Sequence, residues 1–451
     1  MNTTGWEEYW HKRSYGYEAG HETFNHVEER LSYFREDVGL NDFLSQFTVF
    51  YPRWLDQHKY PKIKYFRRGE LFYYVLQQLL ARYSLERYVN YMPKADVLYW
   101  DQPITVGYNA RVLSPSGYEL YPRAYNMVPR TFNPSGVWKA ETYEWKIHND
   151  IDSGVIFYYV TGPMGYSFTA GRDPAFYMLI NRIMHIFEHH KDALPAYTKK
   201  DFYFPGVKVE SFEVGKLTTY FDRFDIEATY GVPIPADKSY KDYHYYGMQS
   251  RLNHKPFTYK LTVSSDRPVS AIVRTFIGPK YDSEDHPLTF DEARSAFVEF
   301  DRFPVKLVNG ENVIERNSKE STGYVQDKEG FGSLYKRVES SITTQESFYY
   351  TESFDCGFPE RLMIPKGSPE GRPLVFYTFV TPYENKFTTP AEERQFEGQI
   401  FCGGSKYYDG RPYGFPFDRR VEYEDVFNVP NFYREDVLVY HKQEAEINRS
   451  A

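Results

Sequence analysis

The pattern of apolar and polar positions changes period part-way along the chain. From Glu70 to Asn90 (ELFYYVLQQLLARYSLERYVN) there is no Gly or Pro, and Leu71, Tyr74, Val75, Leu79 and Tyr83 recur at helical spacing. Apolar residues occupy most of the remaining faces, which predicts a helix enclosed in a bundle. Glu28 to Arg35 and Asp42 to Phe50 are further helix candidates. Asp173-Pro174 predicts a helix start, with Asp as N-cap and Pro at the first helical position. That helix runs on through Phe176, Ile180, Ile183 and Phe187. Between 91 and 140 the chain is rich in Pro, Gly and Tyr, which predicts long loops with short strands.

After about residue 200 the period becomes two. Tyr259, Leu261 and Val263 alternate with Lys260, Thr262 and Ser264, as in a half-buried strand. Val305 to Val308 runs into Asn309-Gly310 and then Asn312-Val313-Ile314, a hairpin signal. Leu374 to Val380 and Val437 to Tyr440 also read as strands, and turn signals separate them. The expected architecture is a helical domain followed by an all-β domain, a sandwich.

Composition adds one unusual feature. The chain has 451 residues, enough for two or three domains. Tyr (44) and Phe (36) each outnumber Gly (29), which is normally among the commonest residues. A core does not require so many Tyr, because each buried hydroxyl needs a partner. The excess therefore either covers large interfaces or was selected as composition, and composition alone does not choose. Net charge is −8 and no dense Lys/Arg block exists, so a nucleic-acid footprint is absent. No run of 18 apolar residues offers a membrane span. The opening residues, Met1 to Glu8, lack the apolar stretch of a signal peptide.

Local motifs for chemistry are few. His185 and His189 stand i,i+4 on the predicted helix, with His190 adjacent. Such a pair can grip one metal ion, but no residue is nominated as a third ligand, and a solvated helix face is the plainer reading. His21 and His26 fall in a polar, loop-like stretch. There is no G-x-S-x-G, P-loop or dinucleotide fingerprint. Cys356 and Cys402 are the only cysteines; buried free thiols and a disulfide both remain open on spacing. Asn2 and Asn448 begin N-x-S/T sequons, candidate glycosylation sites if the chain is secreted.

Longer segments carry a family resemblance. Gly171-Arg172-Asp173-Pro174-Ala175-Phe176-Tyr177 resembles the hemocyanin and phenoloxidase segment in which a copper-binding His follows the Phe by four residues; here that position is Ile180. Gly39 to Thr48 resembles the stretch bearing two copper-A histidines, which fall on Leu44 and Thr48. The third copper-A position, in the helix GELFYYVLQQLLARYSLER, is Leu76. The copper-B pair aligns with His148 and Asp152. Phe354 to Gly367 and Arg411 to Arg419 resemble marked stretches of the family's C-terminal domain.

The chain is thus identified as similar to insect hexamerins of the arylphorin type, within the arthropod hemocyanin superfamily. The resemblance implies an α+β multidomain fold. Residues 1–198 would form a hemocyanin-type helical central domain with a four-helix-bundle core, and residues 199–451 a C-terminal Ig-like antiparallel β-sandwich. It implies a Cys356–Cys402 disulfide, and an N-terminal truncation that accounts for the missing signal peptide. Five of the six ligand positions are not His, and a type-3 copper pair needs three imidazoles per metal. The cofactor expectation is therefore none, copper having been lost, and no catalytic residue is expected. The implied role is a secreted amino-acid store in hemolymph, later held in fat-body granules. Its partners would be its own or related subunits in a hexamer, and a fat-body uptake receptor. An oxygen carrier or phenoloxidase, or a carrier of small apolar ligands such as hormones, are the alternatives.

Overall fold

The computed structural model describes residues 27–50, 67–110, 122–153, 167–227, 246–327, 331–344, 356–383, 401 and 410–443. Its helical part contains four long helices: α1 (Val38–Phe50), α2 (Arg68–Val89), α3 (Pro134–Ser153) and α4 (Pro174–Asp192). Glu28 to Arg35 forms a 3-10 turn, Val27–Leu31, followed by a helical turn, Ser32–Arg35, not one continuous helix. The Asp173 carboxylate accepts from the Ala175 amide at 2.9 Å, so α4 starts at the predicted cap. α3 was not foreseen. The reading of 91–140 as loop fails from Pro129 on, where a helical turn, Pro129–Phe132, precedes a helix that starts at Pro134 and whose Gly136 amide donates to the Asn133 side chain at 2.9 Å.

The strand part is a two-layer sandwich. Strands β1 (Val207–Val214), β4 (Thr258–Ser265) and β7 (Gly310–Asn317) form one sheet in the order β1-β4-β7. The other sheet has the order β3-β2-β11-β10-β5-β6, where β2 is Leu217–Glu227, β3 Tyr246–His254, β5 Val269–Pro279, β6 Val298–Leu307, β10 Arg372–Pro382 and β11 Phe432–His441. Tyr259, Leu261 and Val263 are buried, as their alternation predicts. Pairing is antiparallel except between β11 and β2, and in the short β8 (Tyr324–Val325) with β9 (Phe358–Pro359).

The expected hairpin at Asn309-Gly310 is corrected. β6 pairs with β5, whereas β7 pairs with β4 in the opposite sheet. The turn chemistry is present: Gly310 has φ +98°, and the Asn312 amide donates to the Val308 carbonyl at 2.9 Å. The turn carries the chain from one sheet to the other, because each strand finds its ladder partner among earlier strands.

α2 lies between the other helices and the sandwich, which is why it is apolar nearly all round. On one side Tyr83 stacks on Tyr177 of α4, with ring centroids 3.8 Å apart. On the other, the Gln78 side chain accepts from the Glu299 amide at 2.7 Å, and Arg82 donates to the Leu362 carbonyl at 2.8 Å. One apolar core runs from α1 and α2 into the sandwich, through Phe43, Leu79, Leu362 and Phe376. A second is built largely of aromatic rings, among them Phe202, Phe276, Phe297, Phe379, Phe417 and Phe427. Phe297 and Phe417 stack at 4.4 Å. Part of the aromatic load is therefore structural.

Candidate functional site among the helices

α1, α2 and α4 supply the positions at which the family resemblance places metal ligands. Leu44 on α1 is 4% exposed, Leu76 on α2 is 9% and Ile180 on α4 is 2%. All three belong to the continuous apolar core, with Leu40, Phe47, Tyr177 and Met184. Leu44 also fills the space beside Gly171, where a Cβ would overlap its Cδ1, so a larger residue there would need Leu44 to shift. Thr48 is not among them. It is exposed, and its hydroxyl donates to the Ser45 carbonyl one turn back at 2.7 Å. His148 and Asp152 lie on α3, and their side chains are outside the described residues.

The donor set on α1, α2 and α4 does not fit copper. Hydrocarbon side chains offer no lone pair, and the one hydroxyl faces outward and is already engaged. His185, His189 and His190 are exposed along α4 and reach no third ligand; among the described residues no group of three or more His, Cys, Asp or Glu could hold a metal. The void between α1, α2 and the sandwich, lined by Phe43, Val75, Leu79, Arg82 and Tyr324 among others, measures about 10 Å³. A larger cleft of about 150 Å³ lies on the outer side of α1, bordered by Asp42, Arg251 and Asp327 as well as Phe43 and Phe224.

Ion pairs, rather than metal ligands, occupy the polar interior. Glu28 accepts from Arg87 and, at 2.7 Å, from the Tyr83 hydroxyl. Burial pushes the Tyr83 phenol well above its usual range, so it stays a neutral donor. Arg82 pairs with Glu86, and the Glu86 carboxylate also accepts from the Lys366 amide at 3.1 Å. Arg361 pairs with Asp37 across the two parts of the molecule. None of these pairs was proposed from the sequence. Only the Arg82–Glu86 spacing, i,i+4 on a helix, could have suggested one.

Cys356 is buried, and no free cysteine occurs among the described residues; Cys402 lies outside them, as do Asn2 and Asn448.

The chain matches two family models: "Hemocyanin, copper containing domain" over residues 2–162 and "Hemocyanin, ig-like domain" over residues 196–441. It belongs to the hemocyanin superfamily. Among its relatives in that superfamily is the hexamerin of Blaberus discoidalis, 32% identical, with 94% of this chain and 72% of the relative covered. Allergen Cr-PI of Periplaneta americana is also 32% identical, over 92% of this chain and 69% of that protein. Arylphorin subunit alpha of Manduca sexta is 30% identical, over 94% and 66%. Solved hemocyanin-type structures share the fold. A scorpion hemocyanin superposes with a TM-score of 0.79 at 24% identity, covering 96% of this chain and 80% of its own. A crustacean prophenoloxidase gives 0.74 at 21%, covering 93% and 71%. The chain thus keeps the superfamily's fold, with hydrocarbon at Leu44, Leu76 and Ile180.

Proposed function

We propose that this chain is a storage hexamerin: a non-catalytic reservoir of amino acids, particularly Tyr and Phe, consumed by breakdown of the chain. The observation that carries this reading is the aromatic load, Tyr 44 and Phe 36 in 451 residues, on a hemocyanin-type scaffold whose interior at Leu44, Leu76 and Ile180 is hydrocarbon. Relatives named hexamerin, arylphorin and larval serum protein support it. With 8 Met, the composition fits an aromatic-rich store and not a methionine-rich one.

The same reading places the protein in hemolymph and later in fat-body granules, taken up by a receptor. It would assemble with itself or related subunits into a hexamer, divide near residues 198 and 199, and carry a Cys356–Cys402 disulfide. Asn2 and Asn448 are its candidate glycan sites. The test is native mass and metal content on the purified protein, together with its abundance across the larval-to-adult transition. A hexameric mass, no copper, and a steep fall in abundance as adult tissue forms are expected. Two coppers per chain would instead establish an oxygen carrier or phenoloxidase. The small void between α1 and α2 gives no support to a carrier of bulky apolar ligands.

A further inference from the structure

His254, the last residue of β3, is buried where that strand meets the 3-10 turn Glu360–Leu362. Each of its ring nitrogens faces an acceptor. Nδ1 lies 2.9 Å from the Lys255 carbonyl oxygen, and Nε2 lies 3.1 Å from the Glu360 carbonyl oxygen. The Glu360 side chain adds a further oxygen. Its Oε1 stands 3.4 Å from Nε2, is buried, and accepts no hydrogen bond among the described residues. The Phe257 ring packs on another side of the imidazole, with centroids 5.3 Å apart.

A neutral imidazole has one N–H and one lone pair. In either tautomer, one lone pair here would point at a buried carbonyl oxygen, acceptor against acceptor. The imidazolium carries an N–H on each nitrogen, so it donates to both carbonyls at once, and its charge answers the Glu360 carboxylate. The other charged groups around this corner are differently engaged. Arg361, on the same turn, pairs with Asp37 and Asp327 and reaches only the Leu252 carbonyl of β3. Lys255 offers the ring its carbonyl. On β2 the residue opposite His254 is the uncharged Thr219. Beyond it, on β11, stands His441, whose pKa burial lowers to about 4.

We infer that His254 is an imidazolium in the folded protein, and that with Glu360 it forms a proton-dependent latch between β3 and the turn that carries Arg361. Because Arg361 holds the head of α1 through Asp37, loss of the proton loosens the anchor between the helical part and the sandwich. The folded arrangement requires this proton and the unfolded chain does not. Its contribution is therefore present at low pH and is lost as pH rises. The inference stands apart from the storage reading, since it concerns only how the two parts are joined.

The test uses the full chain. At about pH 7 an unperturbed histidine is mostly neutral, so neutron diffraction from deuterated crystals at that pH distinguishes the two states. Deuterium on both ring nitrogens of His254 is expected. Urea midpoints are then followed from about pH 5 to pH 8, the interval in which histidine changes charge. The wild type should lose stability relative to His254→Gln as pH rises, while His190→Gln, an exposed control, should follow the wild type. Glu360→Gln keeps the carbonyl acceptors but removes the counter-charge, so the loss should move to lower pH. A single deuterium on the ring, or identical pH profiles for wild type and His254→Gln, would overturn the inference. The diffraction reading needs only wild-type protein, so it decides the matter even if a variant fails to fold.

Discussion

Arg361, in the strand part of the chain, forms a buried ion pair with Asp37, 324 residues earlier at the head of α1. Both side chains are almost fully buried. The same carboxylate accepts from the Leu40 amide at 2.8 Å, and Arg361 also reaches Asp327 and the Leu252 carbonyl. One residue thus anchors α1 on the sandwich.

Removing one partner of this pair should be costly, because the other is left charged and buried. Arg361→Met is expected to destabilise by about 3–5 kcal/mol. Asp37→Asn alone should cost less than Arg361→Met, since the amide oxygen still accepts from Leu40. The double variant should fall short of the sum of the two, by the coupling energy of the pair. Urea unfolding of the three variants decides; strict additivity would show the pair to be uncoupled.

Hydrocarbon at the metal positions is predicted to be a structural requirement, not a neutral loss. Ile180→His or Leu76→His buries an imidazole in a hydrocarbon core, for a cost of about 1–3 kcal/mol. Neither variant should acquire copper. Gly171→Ala should also destabilise by about 1–3 kcal/mol through overlap with Leu44, and Leu44→Ala should recover part of that in the double variant. Melting curves and metal analysis test both statements.

Acidification should weaken the sheet near His441. Its Nδ1 lies 3.0 Å from the Thr219 hydroxyl, with the Phe221 ring beside it. Burial first, and then the neighbouring Lys366, lower its pKa from 6.5 to about 4. The unfolded chain binds this proton more readily, so the contribution is full above pH 6.5, declines as pH falls, and is lost below about 4. Because the ring is only partly buried, the amplitude should be modest. His441→Gln should flatten the stability profile between those limits, and an unchanged profile would refute the assignment.

The proposed disulfide has positional support in the structure. Phe401, next to Cys402, packs on Gly323 and Tyr324, and Gly357, next to Cys356, approaches the Gly323 carbonyl. Peptide mapping without reduction should recover Cys356 linked to Cys402. Reduction should lower stability by about 4 kcal/mol on the chain-entropy model. Recovery of two alkylated thiols from the native protein would exclude the bond.

Read alone, the sequence determined the order of helical and strand parts, the entry into α4, the burial of α2 and the superfamily. Those features are local or periodic: Asp173-Pro174 caps a helix wherever it sits, and a helix apolar on every face must be enclosed. It also showed that Leu44, Leu76 and Ile180 carry no metal-binding atoms. The tertiary structure decided what those residues do instead, which is to fill a continuous core beside Gly171. It alone paired Asp37 with Arg361 and sent β6 and β7 to different sheets. Such relations join residues far apart in the chain, and the charge of a side chain does not specify its partner until packing sets the distance.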